Sequence, residues 1–280
     1  MIDIEKQKAK AHAFRGLHHG PKILVLPNVW DVASALILEE AGFGAMATTS
    51  AGIAFSLGYP DGQKISREEM LARVARIARA VKLPVTADVE AGYGERPEDA
   101  ADTARGVIEA GAVGMNLEDG LDRHGQLVDL SLQLEKIRAV REIALKSGVL
   151  LVLNARTDVY LEQIGAPETR YGATVLRLLA YRDAGADCVF APGVRDAETI
   201  SRLVRDLRCP LNILAGPGSL STPELEKLGV ARASLGSGPM RATLGLVRRM
   251  VAELKTSGTY AALDGAPSHA DVNRMMERGE

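Results

Sequence analysis

Short apolar runs alternate with longer stretches of helical periodicity along the whole chain. The runs occupy residues 24–28, 45–50, 85–90, 113–119, 150–156, 188–193, 211–216 and 232–236. Most are continuously apolar rather than alternating, as expected of strands covered on both faces in a parallel sheet. Helices are predicted between them. Ser66 followed by Glu69 has the spacing of a capping box, and Pro97 and Pro223 suit first helical turns. The segments EEAGF (39–43), IEAGA (108–112) and RDAGA (182–186) each place glycine where a helix should stop before a strand. Eight strands joined by right-handed helical crossovers close most simply into an α/β fold, a (β/α)8 TIM-type barrel. No linker divides the chain, so a single domain is expected over residues 1–280, with the barrel at about 20–256 and a short helical tail at 257–280. A doubly wound open sheet is the alternative, but no G-x-G-x-x-G follows the first strand.

Composition enters by exclusion. Hydrophobic residues make up 46% and charged residues 25% of the chain, the balance of an ordinary globular protein. With 34 Lys and Arg against 36 Asp and Glu, there is no basic footprint for a nucleic acid. No run approaches the roughly 18 apolar residues of a membrane span, and the charged N-terminal stretch lacks the apolar centre of a signal peptide. A cytoplasmic protein without membrane partners is expected. Cys188 and Cys209 cannot make a disulfide framework and suit a reducing compartment.

A barrel concentrates its chemistry at the C-terminal ends of its strands, and here those ends are acidic. The third strand leads into Asp88 and Glu90, the fourth into Glu118 and Asp119, and the fifth into Arg156 and Asp158, while Asp61 follows the second. Crowded carboxylates raise one another's pKa unless a cation compensates them, and a hard ion such as Mg²⁺ suits an all-oxygen donor set. Taken singly, each acid could equally cap a helix or pair with a basic side chain. Arg156 offers a planar fork for a carboxylate or phosphoryl group, or a structural ion pair with the same acids. The small-residue turn Ser50-Ala51-Gly52 can present backbone N–H groups to an anion. Asp31 reads as a helix cap, with Trp30 beside it at the barrel mouth. The turns at 215–222 and 235–240 resemble the phosphate sites of other barrels, which keeps an aldolase or isomerase of phosphorylated sugars as a rival, although no strand-end lysine accompanies them.

The series LPNVWDVASA, TTSAGIAFSLGYPDG, LPVTADVEAGYG, AGAVGMNLEDG and NARTDVYL resembles the isocitrate lyase and phosphoenolpyruvate mutase superfamily over roughly residues 20–240. The resemblance implies a Mg²⁺-dependent enzyme, with Mn²⁺ as the alternative ion, acting on 2-oxo or 2-hydroxy carboxylates through an enolate-like species. It implies Asp88 as the principal metal ligand, Glu90 and Glu118 reaching the ion through waters, and Asp61 in the same cluster. Ser50, Ala51 and Gly52 would cradle the substrate carboxylate, Arg156 would hold the oxygen or a distal anionic group, and Asn212 would contact the second product. A homo-oligomer, dimer or tetramer, exchanging its eighth helix is also implied. The loop after the fourth strand departs from the family: it reads EDGLDRHGQLVDL, without the K-[KR]-C-G-H motif of the isocitrate and methylisocitrate lyases and without the lysine and asparagine of the mutases. Within that loop, Asp122, Arg123 and His124 are candidate polar groups, and the histidine could serve as acid or base. The leading expectation is a carbon–carbon lyase, an oxaloacetate decarboxylase or a substituted-malate or methylisocitrate-type lyase. A C–P mutase or hydrolase and a noncatalytic oxyacid-binding barrel are the alternatives.

Overall fold

Pro27 has no N–H to give a neighbouring strand, and the first apolar run breaks there into β1 (Leu24–Leu26) and β2 (Asn28–Val29). The computed structural model describes residues 3–120 and 125–277. Its remaining strands are β3 (Met46–Thr48), β4 (Val85–Asp88), β5 (Gly114–Glu118), β6 (Val152–Arg156), β7 (Cys188–Phe190), β8 (Leu211–Leu214) and β9 (Arg232–Ser234). Every ladder is parallel, and the order β1-β9-β8-β7-β6-β5-β4-β3-β2 puts the two pieces of the first strand at opposite ends of the sheet, which therefore closes on itself. The expected TIM-type barrel is present.

Around it run α1 (Ile4–Leu17), α2 (Val32–Glu40), α3 (Ser50–Ser56), α4 (Arg67–Ala80), α5 (Pro97–Glu109), α6 (Leu130–Ser147), α7 (Pro167–Asp183), α8 (Ala197–Leu207), α9 (Thr222–Lys227) and α10 (Gly238–Thr256). A 3₁₀ turn (Ala261–Leu263) and α11 (His269–Glu277) form the tail. The helix punctuation follows the sequence. Ser66 Oγ accepts from Glu69 N, Asp31 accepts from Ser34 N at 2.7 Å, and Pro97 and Pro223 lie in first turns. Gly42, Gly111 and Gly185 all take positive φ after helices.

The N-terminal stretch forms α1 against the N-terminal mouth of the barrel. Its Gln7 Nε2 donates to Ile108 O and Ala112 O, and Phe14 is fully buried. Gly114 makes room for this plug, since a Cβ there would lie 2.8 Å from Thr86 Oγ1 and 2.9 Å from Phe14 Cε1. The core between strands and helices includes Met46, Leu117, Leu153, Val189 and Ile213, and each such side chain contributes roughly 1.5–3 kcal/mol on burial. The helix α10 behaves differently. Only Met240 is buried along it, while Leu244, Leu246, Val247, Val251 and Leu254 are 40–57% exposed. Among the described residues no helix is long and apolar enough to cross a membrane.

Candidate active site

Parallel register sets Asp88 beside Asn116, Asn116 beside Asn154, and Glu118 beside Arg156. The Asp88 carboxylate is buried and held at both oxygens. Its Oδ2 accepts from Ser50 N at 3.0 Å and Ser50 Oγ at 2.9 Å, and its Oδ1 accepts from Asn116 Nδ2 at 3.3 Å. Asn116 is itself oriented, because its Oδ1 accepts from Asn154 Nδ2 and Arg232 Nη2. Ser50 does not lie in a turn as expected; Ser50-Ala51-Gly52 is the first turn of α3, capped by Thr49 Oγ1 on Gly52 N. Asp88 takes the Ser50 N–H and Thr49 takes that of Gly52, whereas the Ala51 N–H makes no hydrogen bond among the described residues. A helix N-terminus with a free N–H favours an anion.

Glu90 lies just beyond β4 rather than within it; its carbonyl still accepts from Glu118 N on β5 at 3.1 Å, and its φ of +52° turns the chain away from the sheet. Its Oε2 accepts from Gln63 N at 2.6 Å and its Oε1 from Tyr93 OH at 3.5 Å. Gln63 and Tyr93 are also left-handed, at +55° and +57°, and Tyr93 N donates to Gln63 Oε1. Non-glycine residues in this region cost about 1–3 kcal/mol each and cluster at functional sites. Burial, reinforced by Asp88 and Asp61, pushes the Glu90 carboxyl up to about 7. Asp61 stands exposed at the rim; desolvation and the neighbouring Asp88 raise its carboxyl above the usual range.

Arg156 grips Asp158 with two nitrogens, Nε to Oδ1 at 2.5 Å and Nη2 to Oδ2 at 3.1 Å. Its Nη1 lies 2.7 Å from Glu118 Oε2. That contact is an ion pair off the N–H axis, so the buried Oε2 keeps a lone pair without a hydrogen bond. Burial raises the Glu118 carboxyl well above its usual range, and Arg156 only partly offsets this. The guanidinium also sits 5.8 Å from the Phe190 ring centroid.

Other predicted groups fall elsewhere. Asp119, expected in the acidic cluster, points outward to α7 and is fully enclosed, accepting from Thr157 Oγ1, Asp158 N, Arg177 Nη1 and Tyr181 OH. Asn212 is fully buried on β8; its Nδ2 donates to Ser234 Oγ rather than to the cluster, and its Oδ1 has no hydrogen bond among the described residues. Asp31 caps α2, with Trp30 packed near Gly52. The glycine turns near 216 and 236 hold themselves: Gly216 N donates to Ser219 Oγ, and Leu235 N and Gly236 N donate to Asn28 Oδ1. Asp122, Arg123 and His124 lie outside the described residues. Sequence reasoning missed Gln63, Tyr93 and Asn116. Only Asn116 left a signal, two residues before Glu118 on one strand face.

The donor set fits a hard divalent cation. Asp88 and Glu90 are 8% and 4% exposed, yet among the described residues neither forms an ion pair. A cation beside such carboxylates would offset the cost of burying their charge. Asp88, Glu90 and the bare Glu118 Oε2 are oxygen donors of the kind Mg²⁺ takes. No three acids, histidines or cysteines among the described residues form a direct cage.

Glu90 should make cation binding pH-dependent. With its pKa near 7, about a tenth of it is ionised at pH 6 and most at pH 8. The Kd for Mg²⁺ measured by titration calorimetry is therefore expected to rise about tenfold from pH 8 to pH 6, with proton release on binding, and Glu90→Gln should flatten the profile. Stability alone is a poorer readout. The raised Glu90 pKa removes stability as pH rises from 4.5 towards 7. His18, held down to about 3 by burial and by Arg232, adds stability as pH rises from 3 to 6.5, so the two oppose each other.

Fold and site together define a (β/α)8 barrel with an acidic cluster at the C-terminal ends of its strands, where barrel enzymes carry their chemistry. Residues 14–255 match the phosphoenolpyruvate phosphomutase family model. The chain belongs to that family, within the isocitrate lyase and phosphoenolpyruvate mutase superfamily. It is 40% identical to a Burkholderia cenocepacia J2315 protein of known structure, provisionally named a lyase/mutase, with a TM-score of 0.91 and 96% of each chain covered. It is 31% identical to the 2-methylisocitrate lyase of Bacillus subtilis over 90% of this chain and 84% of that one. It is 28% identical to the oxaloacetate decarboxylase of Bradyrhizobium diazoefficiens over 98% of this chain and 94% of that one.

Proposed function

We propose that the protein is a Mg²⁺-dependent lyase, with Mn²⁺ as the alternative ion, that cleaves the C–C bond next to a 2-oxo or 2-hydroxy carboxylate through an enolate-like intermediate. Oxaloacetate decarboxylation and retro-aldol cleavage of a substituted malate or methylisocitrate are the leading forms. The observation that carries this reading is the pair of buried carboxylates, Asp88 and Glu90, which form no ion pair among the described residues, beside an Arg156 that has donors to spare. Asp88 would hold the ion, with Glu90 and Glu118 contributing through waters and Asp61 adding charge at the rim. When bound, the ion supplies electrostatic stabilisation of the negative charge on the enolate.

The chain's own groups do the rest. Ala51 N–H at the start of α3, with Ser50 and Gly52 beside it, would receive the substrate carboxylate. Arg156, fixed in plane by Asp158, would hold the oxygen or distal anion bidentately. Asn212, with a bare Oδ1, would contact the second product. Tyr93 keeps its proton because burial and Glu90 push the phenol up, so its Oη can donate, as it does to Glu90. The family match also supports a second reading, cleavage or rearrangement of a C–P bond; the loop after β5 lacks the lysine and asparagine that activity would use.

The deciding experiment is pyruvate release with and without Mg²⁺ from oxaloacetate, substituted malates, 2-methylisocitrate and phosphonopyruvate, corrected for the metal-catalysed background. Release from a C–C substrate supports the lyase, and release from phosphonopyruvate alone replaces it with the C–P reading. Binding of Mg²⁺ and oxalate with no turnover of any of them would reduce the protein to an oxyacid binder.

The partner is a small oxyacid. The site is carried by one barrel domain over residues 1–280, and two neighbouring free thiols, Cys188 and Cys209, suit the reducing cytoplasm. The apolar face left bare on α10 supports a homo-oligomer in which this helix packs on a second copy. Light scattering is expected to give a dimer or tetramer, and Val247→Asp with Val251→Asp should yield a monomer.

A further inference from the structure

The loop that carries Glu90 is held from outside the barrel. Four consecutive carbonyls follow Glu90, and each accepts a hydrogen bond from a surrounding helix. Lys136 Nζ on α6 donates to Ala91 O at 3.1 Å and Gly94 O at 2.8 Å. Thr103 Oγ1 on α5 donates to Gly92 O at 2.7 Å, and Arg67 Nη2 on α4 donates to Tyr93 O at 2.9 Å. The loop needs these donors, because Glu90 O still accepts from Glu118 N on β5 at 3.1 Å, whereas past it Gly92 and Tyr93 have positive φ and the backbone has turned away from the ladder.

Lys136 is the unusual member. It is 1% exposed, and a buried lysine is ordinarily matched by a carboxylate in contact. Here both hydrogen bonds go to backbone carbonyls of one loop, at either end of the left-handed stretch. Charge-assisted hydrogen bonds are about twice as strong as neutral ones, and an ammonium can span two carbonyls that a hydroxyl could not.

We propose that Lys136 is a positioning residue: from α6 it braces the 91–94 backbone and thereby presets Glu90 and Tyr93 for the cation, without touching cation or substrate itself. This rests on the metal-site reading above. A side chain that merely joins two helices would have no such effect on the loop.

The test uses the full chain, with Mn²⁺ alone as probe, in Lys136→Met and in the nearly isosteric Thr103→Val. Mn²⁺ affinity is read by electron paramagnetic resonance, and backbone order by amide hydrogen exchange at residues 92 and 93, whose N–H groups bond to Val89 O and Gln63 Oε1. By charge alone, removing a lysine strengthens cation binding, so weakening reports geometry. Lys136→Met is expected to raise the Kd for Mn²⁺ at least tenfold, as loss of supporting contacts around metal ligands does. It should also speed exchange at 92 and 93 about tenfold while strand amides keep their protection. Thr103→Val should move both readouts in the same direction. Unchanged affinity in both variants of a protein that binds Mn²⁺ would overturn the proposal, as would exchange that rises equally throughout the barrel. If the unsubstituted protein binds no Mn²⁺, the metal reading fails, and exchange at 92 and 93 alone decides whether the brace exists.

Discussion

Asp88→Ala is expected to lower metal-dependent turnover by about 10³-fold or more, to the level of the metal-catalysed background. A Lewis-acid ion supplies several kcal/mol of transition-state stabilisation, and each 1.36 kcal/mol is a factor of ten. The substitution also has a structural cost, because Asp88 is the acceptor for Ser50 N, Ser50 Oγ and Asn116 Nδ2. Leaving buried donors unpaired costs about 1–3 kcal/mol, so the variant should melt a few degrees lower yet stay folded. With one carboxylate gone, Glu90 should ionise more readily, since Asp88 contributes to its raised pKa. Full turnover in this variant, measured with coupled lactate dehydrogenase after background subtraction, would place the chemistry elsewhere.

Arg156→Leu should be more damaging to the fold. It removes the partner of both Glu118 and Asp158, whose side chains are 13% and 4% exposed. Breaking a buried ion pair from one side costs about 3–5 kcal/mol, which corresponds to a fall in Tm of roughly 10 °C for a chain of this size. Losing the bidentate anchor should lower kcat/KM by about 10²- to 10³-fold. Added Mg²⁺ should restore part of the lost Tm, because a cation that binds only the folded state offsets the uncompensated acids. A Tm within a degree or two of the parent protein in scanning calorimetry would show that the pair carries no structural weight.

The barrel was legible because eight mostly continuous apolar runs alternate with stretches of helical periodicity, and proline and glycine mark the helix ends. The strand limit was overrun at Glu90, where positive φ turns the chain out of the sheet and side-chain pattern carries no sign of backbone handedness. The acids of the site were legible through their place after strands. Asp119 was misassigned because its partners, Arg177 and Tyr181, come from α7, far along the chain, and alternation with Glu118 already turns it to the opposite face. Ser50 was read as a turn because α3 is a seven-residue helix, too short to show periodicity. The plug α1 hid for a similar reason: one of its buried anchors is the polar Gln7, whose acceptors are backbone carbonyls more than a hundred residues away. The Glu90 brace was beyond reach, since its three donors sit on three separate helices.

The seam of the barrel bears on biosynthesis. β1 pairs with β9, joining Leu24–Leu26 to Arg232–Ser234, and Asn28 completes the join by accepting from Leu235 N and Gly236 N while donating to Thr48 O. The first strand to leave the ribosome is thus among the last to be fully paired. Until residue 236 emerges, one side of β1 is an open edge, available to any other extended chain. Chains cut short within the last two strands cannot complete the ring, and they should be recovered as aggregates or degradation products rather than as smaller folded proteins.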